Sequence, residues 1–233
     1  MFAHVERLAD GAYAYSYVVN NSRPAALPIE SWKLRVAQED RSVQTSLTGW
    51  DVARSKTAIV SAFPGPFQYT WVEFTAMRPE ALIPENGSQG PFTIRSDSAP
   101  GLTEFWARGK IIRPYDPSMA AGLPKKLAEE LARTAEGAFR GVAVLTIGPW
   151  FPPGTSLKMI VSNFQSGINR LTHYRELDHN SPFVAATLAT LESFQRSGET
   201  AAFFQVNGLD FLSLAAPGLE TEVANALRLA LTR

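Results

Sequence analysis

The chain has 233 residues, with 22 basic and 22 acidic side chains, three histidines and no cysteine. That length fits one large domain or two ordinary ones, and 45% hydrophobic residues can build a core, which excludes a chain that is mainly disordered. A formal net charge of zero supplies no basic excess for nucleic acid. Without cysteine there is no disulfide, no thiolate ligand for zinc and no cysteine nucleophile.

The front of the chain alternates with period two. Tyr13, Tyr15 and Tyr17 share one face of a first strand, and Trp32, Leu34 and Val36 share one face of a second. Tyr69 and Trp71 repeat the pattern, and Phe92–Ile94 and Phe105–Ala107 are two shorter candidates. Turn signals separate them: Asn20-Asn21-Ser22, Gly49, Pro64-Gly65-Pro66, Asn86-Gly87 and Pro100-Gly101. Short strands with Gly/Pro loops predict a β-sandwich of about six to eight strands.

Beyond this the rhythm changes to every third or fourth residue. Leu123, Leu127, Leu131, Ala135 and Phe139 predict an amphipathic helix. Gly141–Gly154, with Gly148-Pro149 and Pro152-Pro153-Gly154, reads as a linker. Leu157, Ile160, Val161, Phe164, Ile168 and Leu171 then mark a helix. Val184, Leu188 and Leu191 mark another, opened by Ser181 and Pro182 and closed at Gly198. A third is expected from about Thr200 to Leu214, weakened by Gly208, and Val223, Leu227 and Leu231 define the last. The expected fold is α+β: an N-terminal antiparallel β-sandwich over 1–115, an amphipathic helix and Gly/Pro-rich linker over 116–154, and an antiparallel helical bundle over 155–233.

Tyr13–Asn21, Trp32-Lys33-Leu34, Gly49-Trp50, Gly87–Ser96 and Pro100-Gly101-Leu102, with the strand Phe105-Trp106-Ala107-Arg108-Gly109, form a pattern that resembles a β-module of exported bacterial proteins. The apolar stripe Leu157–Leu171, Leu188 and Leu191, Gly198, Asn207 with Phe211, and Gly218 resemble the small helical module called FIMAH. The resemblance implies a secreted or cell-surface protein, with a cytoplasmic location left open, and it implies no chemistry. Met1–Asp10 lacks the apolar run of a signal peptide, and Val142–Phe151 is too short to span a bilayer.

His173, Glu176, Asp178 and His179 are the candidate metal ligands, since imidazole and carboxylate suit zinc-like ions. Their spacing departs from the His-Glu-x-x-His pattern, and the competing reading is a solvated turn capped by Asp178 or Ser181. The sequence has no Gly-x-Ser-x-Gly elbow and no phosphate-cradling glycine loop. No cofactor and no catalytic residue is assigned. Tyr13, Tyr15, Trp71 and Trp106 are the candidate ligand-binding residues, because exposed rings on a sheet stack on sugars or pack on a partner. Burial of one face of each strand is the competing reading.

Three functions therefore compete. One is a non-enzymatic exported binding module for a carbohydrate or a protein, which requires an exposed aromatic patch. Another is a hydrolase with its site between the β and helical parts, which requires a pocket with two convergent acids or a histidine. The third is a structural or assembly protein. Neither nucleic acid nor a membrane span is expected, and the oligomeric state is open.

Overall fold

The structure is a computed structural model that describes residues 1–22, 27–37, 42–45, 47–55, 69–110, 122–127, 142–197, 203–204 and 209–232. The chain is α+β, with two antiparallel sheets and helices. The described strands are β1 (Phe2–Arg7), β2 (Tyr13–Asn20), β3 (Ile29–Ala37), β4 (Ser42–Thr45), β5 (Trp50–Ser55), β6 (Tyr69–Ala76), β7 (Ser88–Ser96), β8 (Ala99–Gly109) and β9 (Val142–Phe151). They form a four-stranded sheet of order β1-β2-β7-β4 and a five-stranded sheet of order β5-β6-β3-β8-β9. The α-helices whose two ends both lie within the described residues are α1 (Leu157–His173), α2 (Pro182–Ser197) and α3 (Leu219–Leu231). No helix among the described residues is long and apolar enough to cross a membrane.

Alternation decides which rings meet. Trp32 of β3 stacks on Phe74 of β6 at 4.1 Å and meets Phe105 of β8 at 5.7 Å. From the other sheet, Phe92 of β7 meets Trp32 edge-on at 4.9 Å, and Tyr17 of β2 approaches it to 5.8 Å. Rings from both sheets thus meet in one aromatic layer, favoured by ring burial and by edge-to-face geometry.

The segment Gly141–Gly154, expected as a linker, differs from that reading. Val142–Phe151 is strand β9, paired antiparallel with β8 from Ala107↔Val142 to Ala99↔Phe151. Likewise Pro100-Gly101, expected as a turn, lies inside β8. Pro100 pairs with Pro149, and Gly101 with Gly148. Proline survives in β9 because that strand is the sheet edge. The glycines are required by crowding: a Cβ on Gly101 would lie 2.6 Å from the Phe151 ring, and one on Gly148 would lie 2.6 Å from Thr103. Gly/Pro content alone reads as a break, whereas here it allows two strands to approach. Of the helix expected over Leu123–Phe139, only its start is described: residues 125–127 are helical, and Leu123 and Leu127 are exposed. Of the helix expected from Thr200 to Leu214, Phe203 and Phe204 are helical and Asp210–Leu214 is a 3-10 turn. Residues 128–139 of the first and 200–202 and 205–208 of the second, including Asn207 and Gly208, with Gly198, lie outside the described residues.

The helices pack on strands as well as on one another. The β3–β8 register ends at Leu34↔Phe105, so β8 continues past it with backbone groups open on that side. Asn163 of α1 fills the gap: its Oδ1 accepts from the Leu102 N–H at 2.9 Å and its Nδ2 donates to the Leu102 carbonyl at 3.0 Å. One side-chain amide thereby stands in for a strand partner, meeting the demand that buried peptide groups be paired. Gly167, one turn later, makes room for Leu102, since a Cβ there would lie 2.4 Å from Leu102 Cδ1. At the other side, α3 holds β1: the Ala3 N–H donates to Glu222 Oε1 at 3.1 Å, and Asn225 donates to the Val5 carbonyl at 2.9 Å.

Asn163→Leu is expected to destabilise the fold by about 3 kcal/mol in urea titrations, since two buried peptide groups lose their partner. Gly167→Ala is expected to cost about 1–2 kcal/mol, overpacking against Leu102 outweighing the helix preference for alanine. Burial pushes the Glu222 carboxyl from 4.5 up to about 7, against the opposing pull of the Ala3 N–H and the Met1 amino group. A carboxyl with a raised folded-state value holds its proton more tightly when folded, so stability falls as pH rises from about 4.5 through about 7. Glu222→Gln is expected to remove that slope and to gain on the order of 1–2 kcal/mol above pH 8, after allowance for its partial exposure. Melts across pH 4–9, an unchanged slope in the variant being the contrary result, check this.

Candidate functional site

Residues opposite one another in register share a face of the sheet. Lys33 lies opposite Glu73 on β6 and Trp106 on β8, and Arg35 lies opposite Trp71. The Trp32, Leu34 and Val36 face enters the core, so Lys33 and Arg35 occupy the other side with Trp71, Glu73 and Trp106. There the Trp71 and Trp106 rings meet edge-on at 6.4 Å, and Lys33 Nζ lies 4.7 Å from the Trp71 ring and 5.7 Å from the Trp106 ring. Cation–π attraction holds the ammonium over both indoles. Trp71 is 5% exposed, while Trp106 and Lys33 are half-buried.

Arg35 is buried beside them. Its guanidinium faces Tyr69 at 4.9 Å, Trp150 at 5.8 Å and Trp71 at 6.0 Å, and Tyr69 stacks on Trp150 at 4.2 Å. Burial raises the Tyr69 pKa above its ordinary value, opposed by the Arg35 charge. Arg35 Nη1 donates to Glu104 Oε2 at 3.2 Å, and Glu104 is only partly exposed. A buried cation is tolerable where such a partner and aromatic faces replace water.

Glu104 also lines a cleft of about 230 Å³ between β8–β9 and the end of α1. Val144, Leu145 and Leu171 give it apolar walls, and Arg170, Tyr174 and Glu176 complete it. The end of α1 places those side chains. Arg175 adopts φ 61, the Glu176 N–H donates to the Leu171 carbonyl at 2.8 Å, and the Arg175 N–H donates to that of Thr172 at 3.0 Å. This is a Schellman turn with arginine where glycine is usual. It leaves Tyr174 64% exposed and turns the chain so that Glu176 lines the cleft. Burial pushes the Glu176 carboxyl above its ordinary pKa.

The four expected ligand residues separate. Tyr13 and Tyr15, at 3% and 0% exposure, belong to the core, and the Tyr15 hydroxyl donates to the Ser98 carbonyl at 2.7 Å. The reason is alternation, which turns the tyrosines of β2 inward while their intervening neighbours stay half-exposed. Tyr13 and Tyr15 meet each other at 6.4 Å inside the core, whereas Trp71 and Trp106 come together on the other side of the five-stranded sheet. The expected metal ligands do not converge: among the described residues no three His, Asp or Glu side chains form a metal-holding group. His173 packs edge-on against Tyr174, His179 lies 3.7 Å from Asp178, and Asp178 accepts from the Asn180 N–H at 2.9 Å. The segment is a capped turn whose side chains are exposed, apart from Leu177, and Glu176 serves the cleft instead. Lys33, Arg35, Glu104, Arg170 and Tyr174 had no part in the sequence-based site. The visible signal was the polar phase of the β3 alternation, but which strands pair with β3 was not legible.

No family model matches the chain, and no curated protein matches it.

Glu104→Gln is expected to destabilise the fold by about 2 kcal/mol, because the buried Arg35 loses the carboxylate charge that it meets at 3.2 Å. Arg35→Met with Glu104→Gln is expected to recover most of that loss. A double-mutant cycle by denaturation checks it, additive losses being the contrary result.

Proposed function

We propose that this protein is a non-enzymatic binding module whose contact surface is the outward face of the five-stranded sheet around Trp106. One observation carries the reading: a half-exposed indole, buttressed edge-on by Trp71 and by the Lys33 ammonium, is fixed in place beside polar side chains. A pre-set ring loses little freedom on binding, which is how aromatic anchors give affinity.

The finer architecture follows from the same packing. The Trp32–Phe92 and Tyr17–Trp32 contacts support a β-sandwich. The pairing of α1 with α2 supports a small bundle, whose α3 also packs on β1 and β8. The FIMAH-like character of this part and an exported location rest on the sequence pattern of Leu157–Leu171 and the β-strand motifs.

The hydrolase reading has one observation in its favour, the presence of Glu104 and Glu176 on one cleft. Glu104 is engaged by Arg35, which suits a structural carboxylate better than a reacting one.

On arrays of glycans and peptides, the wild type is expected to retain ligands that Trp106→Ala binds at least tenfold more weakly, with matched melting temperatures and the ligand recovered chemically unchanged. Ligands bound equally by both proteins would remove this face from the function, and cleavage of the ligand would favour the hydrolase.

A further inference from the structure

Glu104 joins two features that are separate in the chain. On one side it holds Arg35, beneath the ring cluster of the sheet face, and on the other it lines the cleft with Tyr174 and Glu176. It stands two residues from Trp106 on β8, about 7 Å along the strand. An indole and one lining residue of an amphipathic cleft are therefore neighbours along β8. Resting on the reading of the Trp106 face as a contact surface, we infer that the ligand is a neutral oligosaccharide, laid on Trp106 and running past Glu104 so that one sugar residue enters the cleft against Tyr174.

Charge selects the class. Arg35 is matched by Glu104 at 3.2 Å, and Arg108 by Glu30 at 3.8 Å. Lys33 stands opposite Glu73 in register, and the cleft is lined by both Arg170 and Glu176. Four cations and four carboxylates thus share this surface among the described residues, so neither a polyanion nor a polycation gains net attraction. A neutral polyol uses both kinds of group, as hydrogen-bond donors and as acceptors. Its C–H faces suit the half-buried Trp106 ring, the exposed Tyr174 ring and the apolar walls Val144, Leu145 and Leu171. At about 230 Å³ the cleft accommodates a unit of monosaccharide size and excludes a folded peptide element.

Titration calorimetry with cello- and manno-oligosaccharides of two to six residues tests this on the full chain, with heparin fragments and chitosan oligomers as charged controls. The expected result is binding of a neutral series, with affinity rising with length, and no preference for either charged control. Tyr174→Ala, at an exposed position, is expected to weaken the longer oligomers about tenfold and to abolish the gain with length, while Trp106→Ala weakens all lengths. If Tyr174→Ala behaves as wild type at every length while Trp106→Ala loses binding, the cleft is not part of the site and the contact face stands. If Trp106→Ala also behaves as wild type, the face falls as well. Preference for heparin or chitosan, or binding to no saccharide while peptide ligands are lost in Trp106→Ala, overturns the saccharide assignment and leaves the face in place.

Discussion

The contact between Asn163 and the Leu102 peptide groups joins the helical and β parts of this protein. β8 is the longest described strand, and past Phe105 its β3 side is open. A buried peptide group without a partner costs about as much as a core side chain contributes, so some element must close that gap. A carboxamide is well suited, since it carries a donor and an acceptor in one plane. The close approach needed to deliver it explains Gly167 one turn later, where any side chain would strike Leu102. The position of α1 follows from these two residues, and with it the wall of the cleft.

The five-stranded sheet uses aromatic residues on both sides, for different purposes. Toward the other sheet, Trp32, Phe74 and Phe105 fill the core with rings that need little else. On the opposite side, Tyr69, Trp71, Trp106 and Trp150 surround cations, and Arg35 there is buried to 3% exposure. Guanidinium is more weakly hydrated than ammonium and tolerates stacking, so Arg35 takes the buried place and Lys33 the half-exposed one. The result is a second aromatic layer in which Arg35 is paired with Glu104, with the Arg108–Glu30 pair nearby.

The cleft depends on how α1 stops. A Schellman turn reverses the chain at Arg175, sets Tyr174 outward and places Glu176 on the wall opposite β8–β9. Left-handed backbone at an arginine costs about 1 kcal/mol relative to glycine. The turn therefore persists because its two hydrogen bonds and the burial of Leu177 outweigh the strain.

The sequence alone determined the local elements whose period is strong. Tyr13–Tyr17, Trp32–Val36 and Tyr69–Trp71 fall in strands, and Leu157–Leu171, Val184–Leu191 and Val223–Leu231 fall in helices, because alternation and 3.6-residue spacing are properties of neighbouring residues. It also limited the chemistry, through the lack of cysteine and the balance of charge. Tertiary structure decided the rest. Whether Gly148-Pro149 breaks the chain or completes an edge strand depends on β8, nearly fifty residues earlier. Which alternating aromatics face the core depends on which sheet covers them: Tyr13 and Tyr15 lie inside, and Trp106 lies half outside. Glu104, Tyr174 and Glu176 share a cleft because α1 is held against β8 by Asn163 and by its buried apolar stripe. Period is written in adjacent residues, whereas convergence is set by contacts between distant ones, and a single sequence does not display those contacts.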